Sequence, residues 1–194
     1  MLGLKLLTDD TWAKKAEGHL GELLTDHAYC EQKAASHALS IIIGWPEHIE
    51  LVTALIQIAR EELEHFERVL NEIKKRNLVL GFERKDNYVN TLMQCVKKGL
   101  KREFVLIERL LFAAMIEARS CERFKRLSEQ LQDRELAAFY KELMISEAHH
   151  YTRFIEFAHT YAPPSMDVTK RWNEWIAFES SIITQYGKSE QIHG

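Results

Sequence analysis

The sequence predicts an all-α protein: a four-helix bundle of two long helix pairs joined by a crossover segment, followed by an additional C-terminal helix. Two observations lead there. Only 8 Gly and 3 Pro occur in 194 residues, too few turn formers for a chain of many short strands. Apolar residues recur at intervals of three and four over long stretches, the period of a helix with one buried face. At this length one well-buried core is expected. Residues 1–194 then form a single domain, with the bundle at about 9–162 and the last helix at about 168–186.

The elements follow in order. Thr8 is placed to cap a first helix whose opening turn carries Asp9 and Asp10 near its positive end. Helical sequence continues to about Ile43, with a bend expected at Gly18 and Gly21. Its apolar stripe runs through Leu20, Leu24, His27, Glu31, Ala34, Ala35, Ala38 and Ile42, and Glu31 interrupts it. Gly44-Trp45-Pro46 ends this helix. The second begins near Pro46 or Glu47 and runs through Leu51, Leu55, Ile58, Glu62, His65, Val69 and Ile73 to about Leu80, closed by Gly81. Asp86 caps a shorter crossover helix from Asn87 to about Lys98. The third long helix spans about Arg102 to Leu127, with Glu117 the one carboxylate in the middle of its stripe. Ser128 or Asp133 precedes the fourth, whose stripe Leu136, Phe139, Tyr140, Leu143, Glu147, His150, Phe154 and Phe157 ends before Pro163-Pro164. Trp172, Trp175, Ile176 and Ile183 mark the last helix as one that packs on the bundle.

Composition narrows the partners. The net charge of −3 removes any global electrostatic argument for nucleic acid and leaves local basic clusters to carry one. Cys30, Cys95 and Cys121 are odd in number and form no C-x-x-C, so neither a disulfide framework nor a zinc ribbon is indicated, and a reducing cytoplasm fits. No apolar run approaches the roughly 18 residues needed to span a bilayer. The few apolar residues before Asp9 do not make a signal peptide, so a soluble cytoplasmic protein is expected.

The polar intrusions into the apolar stripes carry the chemistry. Glu-x-x-His occurs four times, as Glu62/His65, Glu147/His150, Glu156/His159 and Glu190/His193, and residues three apart on a helix share a face. Two of the pairs have an upstream partner. Glu31 precedes Glu62 by 31 residues and Glu117 precedes Glu147 by 30, each first Glu standing alone on its stripe. The set Glu31, Glu62, His65, Glu117, Glu147 and His150 thus repeats as two half-sites. Four unpaired ionised carboxylates in a bundle core would be strongly unfavourable without cations. Four carboxylates and two imidazoles are the ligand set of a di-iron or di-manganese centre in a ferritin-like bundle. Glu156/His159 lies half a turn out of phase, on the surface, and Glu190/His193 falls in a polar tail expected to fray. His149 and Glu61 point sideways, and His27, one turn before Glu31, is read as a satisfied core histidine. Ala34, Ala35, Ala38, Ala113, Ala114 and Ala118 beside the ligands fit close packing or a channel equally well.

Four segments together resemble one family. They are Asp26-His27-Ala28-Tyr29-Cys30-Glu31-Gln32-Lys33-Ala34-Ala35, Ile58-Ala59-Arg60-Glu61-Glu62-Leu63-Glu64-His65-Phe66-Glu67, Ile116-Glu117-Ala118-Arg119-Ser120-Cys121-Glu122-Arg123-Phe124 and Ser146-Glu147-Ala148-His149-His150-Tyr151. The chain resembles the tRNA-(2-methylthio-N6-isopentenyladenosine) hydroxylases, the MiaE family, from Leu6-Leu7 and Trp12 to Pro163. The resemblance implies the same six residues as ligands of two iron ions. It also implies an O2-dependent monooxygenase that hydroxylates the isopentenyl side chain of the hypermodified adenosine beside the tRNA anticodon. Two electrons per turnover would come from outside, since the chain has no G-x-G-x-x-G and no cysteine set for an iron-sulfur cluster. An external reductase or ferredoxin-like donor is expected. Lys97, Lys98, Lys101 and Arg102 form one basic cluster that could meet tRNA phosphates, and Arg119, Arg123, Lys125 and Arg126 form another. Arg119, two residues past Glu117, either holds a core carboxylate or reaches a phosphate. The rival readings are another di-iron hydroxylase or oxygenase, and a ferroxidase or iron-storage protein.

Overall fold

The structure is a computed structural model that describes residues 2–186 and 191–193. Among them it has seven α-helices: α1 (Trp12–Glu17), α2 (Leu20–Gly44), α3 (Ile49–Lys75), α4 (Asn87–Leu92), α5 (Arg102–Gln130), α6 (Arg134–Tyr161) and α7 (Val168–Ile182), with a 3-10 turn at Met93–Cys95. The two most intimate pairings are α2 with α3 and α5 with α6. Each is a helix hairpin with a connection of a few residues, so its two helices run antiparallel. The segment between α3 and α5, which contains α4, is the crossover, and α7 packs against α4 and α5. This is the expected all-α bundle with its additional C-terminal helix, in the connectivity of ferritin-like proteins.

The element ends show where local chemistry decides. Asp86, Asp133 and Asp167 cap α4, α6 and α7, their carboxylates accepting from the backbone N–H of Val89, of Glu135 and Leu136, and of Lys170. Of the two starts offered for the fourth long helix, Asp133 is therefore the one used. Thr8 caps nothing. Its hydroxyl donates instead to Glu122 Oε2 at 2.5 Å, and the helix begins later, so the bend at Gly18 and Gly21 is a break between α1 and α2. Likewise α3 stops before Gly81. Asn77 adopts φ 56°, the N–H of Asn77 bonds the Lys74 carbonyl, and that of Leu78 bonds the Ile73 carbonyl. This is a Schellman ending made with Asn, one of the few side chains that tolerate the left-handed region.

The core is divided along the bundle axis. Leu23, Leu24 and Ala28 of α2, Val69 and Ile73 of α3, Phe124 and Leu127 of α5, and Leu136 to Leu143 of α6 form one apolar cluster. Ala35, Ala38 and Ile41, then Leu51 to Ala59, Leu106 to Ala118, and Phe154 and Ala158 form the other, which continues under α7. Each fully buried Leu contributes about 1.5–3 kcal/mol relative to exposure. Between the two clusters the same four helices place Glu31, Glu62, His65, Glu117, Glu147 and His150, all buried. The apolar layers fix the helix register, and the register brings the six polar residues to one level. Among the described residues no helix is long and apolar enough to cross a membrane.

A second polar core was not anticipated. Arg119 and Arg123, nominated above as tRNA contacts, are both fully buried, and no phosphate can reach them. Arg119 donates to Glu179 Oε1 (2.6 Å), Glu122 Oε2 (2.9 Å) and the Leu6 carbonyl (3.0 Å). Of its two foreseen roles it takes the one inside the protein, holding core carboxylates that are not among those six. Arg123 lies over the Trp12 ring at 4.7 Å and donates to the Gln191 carbonyl. The C-terminal end is likewise not frayed where it is described. Ile192 is fully buried, its N–H donates to Asp26 Oδ2 at 2.7 Å, and His193 is 3 % exposed. Glu190, its partner in the fourth Glu-x-x-His, lies outside the described residues.

Candidate metal centre

Helical phase delivers the six residues to one point. Glu31 comes from the middle of α2, Glu62 and His65 from α3, Glu117 from α5, and Glu147 and His150 from α6. Their donor atoms form two overlapping groups, each with atoms within 4.8 Å of one another: Glu31, Glu62, His65 and Glu147, and then Glu62, Glu117, Glu147 and His150. Glu62 and Glu147 belong to both. Two four-donor sets that share two carboxylates could hold two adjacent cations.

The distances have the spacing of donors around a cation. His65 Nδ1 lies 3.7 Å from Glu31 Oε2, 3.4 Å from Glu62 Oε2 and 3.6 Å from Glu147 Oε1, so one nitrogen faces three carboxylates without bonding any. His150 Nδ1 is 2.8 Å from Glu62 Oε1 but is not aligned to it as a hydrogen bond. Both Glu62 oxygens, Glu147 Oε1 and the Nδ1 atoms of His65 and His150 are buried without hydrogen-bond partners. Buried donors and acceptors rarely remain so, and here the unpaired atoms all face one centre. The donor set therefore fits two oxygen-favouring divalent cations with some imidazole.

Electrostatics say the same in the absence of metal. Burial, with Glu147, Glu62 and Glu31 around it, pushes the Glu117 carboxyl well above the usual range. Burial and Glu31 raise Glu62 as well. Burial works against a charge on His65 and His150, yet the facing carboxylates lift them to about 11 and about 9. Burial likewise pushes Glu31 up, but the His27 and His65 imidazoles overcome it and hold the group at about 2. Without metal, protons take the place of the missing positive charge. Both imidazoles titrate above pH 7, so loading the metal-free protein at pH 7 is expected to release at least two protons per chain, from His65 and His150. Calorimetric titration in buffers of different ionisation enthalpy measures this. Affinity should rise with pH, more steeply below about 9, where His150 gives up its proton unaided, and more shallowly from there to about 11, where His65 does.

Residues around the six hold them in place. His150 Nε2 donates to Glu61 Oε2 at 2.7 Å, which leaves its Nδ1 lone pair turned inward. Glu61 is thus an exposed residue that orients the His150 ring. His27 is fully buried against Phe124 and Tyr140, and its Nε2 lies 2.6 Å from Glu31 Oε1. It is a core histidine that also fixes the Glu31 carboxylate. Glu156, His159 and His149 are exposed, as their helical phase requires. Among the small residues, Ala34 and Ala113 line a cavity of about 70 Å³ together with Phe112, Ile116, Phe154 and Glu117. Ala35, Ala38, Ala114 and Ala118 are buried in helix packing, so the alanine stripes serve both purposes. Lys98 and Lys101 are exposed, whereas Lys97 pairs with Glu174 at 2.9 Å and Arg102 with Glu47 at 2.5 Å.

Comparison with known proteins supplies the family. The family described as tRNA-(MS[2]IO[6]A)-hydroxylase (MiaE) matches residues 2–194. The tRNA 2-(methylsulfanyl)-N(6)-isopentenyladenosine(37) hydroxylase of Pseudomonas putida is 41 % identical over 186 residues, covering 96 % of this chain and 89 % of that protein. The protein of the same name from Salmonella typhimurium is 26 % identical, covering 96 % and 85 %. A solved structure titled protein 43 with aldehyde deformylating oxygenase activity, from Synechococcus, superimposes with a TM-score of 0.88 at 31 % identity, covering 98 % of this chain and 95 % of that one. With the match running over almost every residue and the relative from Pseudomonas putida at 41 % identity, the chain belongs to the tRNA-(MS[2]IO[6]A)-hydroxylase (MiaE) family.

Proposed function

We propose that this protein is a di-iron monooxygenase that hydroxylates the isopentenyl side chain of 2-methylthio-N6-isopentenyladenosine in tRNA, using O2 and two electrons from an external reductase or ferredoxin-like donor. The observation that carries the reading is the pair of four-donor groups sharing Glu62 and Glu147 in a chain of this family. Glu31 and His65 would complete one iron position, and Glu117 and His150 the other. When bound, the iron supplies the O2 chemistry that converts a C–H bond of the side chain to C–OH.

The chain's own residues set the stage for that step. Glu61 and His27 hold His150 and Glu31 in one orientation, so the donors are arranged before any ligand arrives. Leu143 on one side of the polar layer, and Ala35 and Ile58 on the other, keep bulk water from it. The cavity reaching Glu117 is walled by Ala34, Ala113, Phe112, Ile116 and Phe154, an apolar space suited to a short branched hydrocarbon. Lys33 also lines this cavity, a cation that can meet the phosphate of the nucleotide. Exposed Lys98 and Lys101, with Lys97 and Arg102, make the basic patch assigned to the tRNA backbone. A tRNA substrate places the protein's work in the cytoplasm.

The test is nucleoside analysis of tRNA incubated with the reduced, iron-loaded protein and O2. A new hydroxylated isopentenyl nucleoside is expected. Its absence, with two irons per chain present, sinks the tRNA assignment and leaves the metal reading standing. The superposition on a structure titled with aldehyde deformylating oxygenase activity favours one alternative, so an aldehyde should be a second arm of that assay. For the basic patch, charge reversal at Lys98 and Lys101 is expected to weaken tRNA binding and to lower the slope of log K against log salt by roughly one for each phosphate no longer neutralised. An unchanged slope removes these residues from the interface.

A further inference from the structure

A second cluster of metal-binding side chains stands apart from the carboxylate centre and shares no residue with it. Cys30 of α2, Asp86 at the start of α4 and His193 at the C-terminal end bring one sulfur, one oxygen and one nitrogen within 4.8 Å of one another. Cys30 and Glu31 are chain neighbours, but successive residues on a helix point about 100° apart. Glu31 therefore faces the bundle axis while Cys30 faces the rim of the cavity, which Asp86 and His193 also line.

The same imidazole nitrogen meets both other groups. His193 Nδ1 lies 3.4 Å from Cys30 Sγ and 3.5 Å from Asp86 Oδ2. In a catalytic Cys-His-Asp relay the thiol and the carboxylate would sit on opposite ring nitrogens, so this arrangement is not one. It is a convergence of three lone pairs. A tetrahedral zinc ion, with Zn–S about 2.3 Å and Zn–N about 2.0–2.1 Å, holds its S and N ligands roughly 3.6 Å apart and its N and O ligands roughly 3.3 Å apart. The observed separations match within a few tenths of an ångström.

The surroundings fix each donor. Nε2 of His193 lies 3.0 Å from Ser120 Oγ, which turns the other nitrogen toward Cys30 and Asp86, and the ring stacks on Tyr88 with centroids 6.0 Å apart. Asp86 Oδ1 is held by the Val89 N–H as the α4 cap, leaving Oδ2 for the cluster. Nearby Asp26 is occupied by the Ile192 N–H and the Gln191 amide and is not a fourth ligand.

We propose that Cys30, Asp86 and His193 form a binding site for one divalent cation of the zinc class, with water in the fourth position at the cavity rim. The ion would clip the C-terminal end to α2 and α4, joining residues 163 positions apart in the chain. Cys30 binds as thiolate and its proton leaves to solvent.

The carboxylate centre contains no sulfur, so a thiolate signal reports this site alone. Metal-free, reduced protein titrated with Co2+ is expected to develop a saturable near-ultraviolet thiolate-to-cobalt absorption. The band should survive in Cys95→Ser and Cys121→Ser, vanish in Cys30→Ser, and persist in a Glu62→Gln/Glu147→Gln variant that has lost the iron ligands. Ser120→Ala, which frees the imidazole without removing a ligand, should retain the band and weaken binding roughly tenfold or more. Asp86→Asn keeps the helix cap and should weaken binding further, so the test holds even if Cys30→Ser fails to fold. Absence of the band, its persistence in Cys30→Ser, or growth without saturation shows a hydrogen-bonded thiol and no metal site.

Discussion

Replacing Glu117 by Leu is expected to make the metal-free protein more stable while leaving it unable to hold two irons. The reason lies in what surrounds this carboxyl. His65 faces Glu31, Glu62 and Glu147, and His150 faces Glu62, so removing any of those three deprives an imidazole of a partner. Glu117 has no such ion pair among the described residues. Its neighbours are Glu147, Glu62 and Glu31, and with burial they push its pKa well up. Such a carboxyl costs either desolvation of its charge or uptake of a proton, and exchanging buried ionisable groups for well-packed apolar ones of similar volume is often stabilising by about 1–4 kcal/mol. At roughly 2–4 °C per kcal/mol for a chain of this size, differential scanning of the chelated proteins would resolve it.

The sign of the pH dependence follows. A Glu whose folded pKa is raised binds more protons folded than unfolded between the two values, so wild-type stability falls as pH rises through that window. The advantage of Glu117→Leu should therefore be smallest near pH 4.5, the ordinary Glu value, and grow as pH rises from there toward the raised folded value. The iron content should drop from two to one or none, with activity lost. A metal-free Glu117→Leu protein less stable than wild type at pH 7 would show that the carboxyl serves the fold and not the metal.

The six-residue centre was legible in sequence because one rule links it to the fold. A helix that must bury a face displays any polar residue on that face as a break in the period, and four helices each showed such a break at matching depth. Helix ends were less legible because they depend on single side chains with alternatives. Thr8 could cap a helix but bonds Glu122 instead, and Asn77 ends α3 before Gly81 is reached. Arg119 and Arg123 were placed among the tRNA contacts because basic residues on a helix normally face water, although a core carboxylate was foreseen as one role for Arg119, and Glu179 gave no signal of its own. Their burial depends on what α7 and the N-terminal segment bring from more than 50 residues away, which no local period records. His193 was missed for the same reason. The available signal was Asp26, an acidic residue one turn before Cys30, which needs donors once it is buried and finds them in the Gln191 side chain and the Ile192 N–H.

Substituting Arg119 by Met is expected to cost stability, about 3–5 kcal/mol, because it leaves two buried carboxylates without their cation. Glu179 and Glu122 are both shielded from solvent and both bonded to Arg119. Burial alone pushes the Glu122 carboxyl up, and Thr8 and Arg119 more than compensate, holding it below its ordinary value. Without Arg119 that compensation is weakened, whereas Glu179 keeps, among the described residues, the Tyr88 hydroxyl at 3.2 Å as its hydrogen-bond partner. A fall in Tm of roughly 6–20 °C follows for a chain of this length. Adding Glu179→Gln should restore part of it, since the double variant removes a stranded charge and not merely a hydrogen bond. Lys98→Glu with Lys101→Glu makes the contrast, changing tRNA affinity with Tm unmoved because both residues are exposed. If Arg119→Met instead kept its Tm and weakened tRNA affinity, the arginine would have to reach solvent, and the packing of α7 on α5 would be wrong.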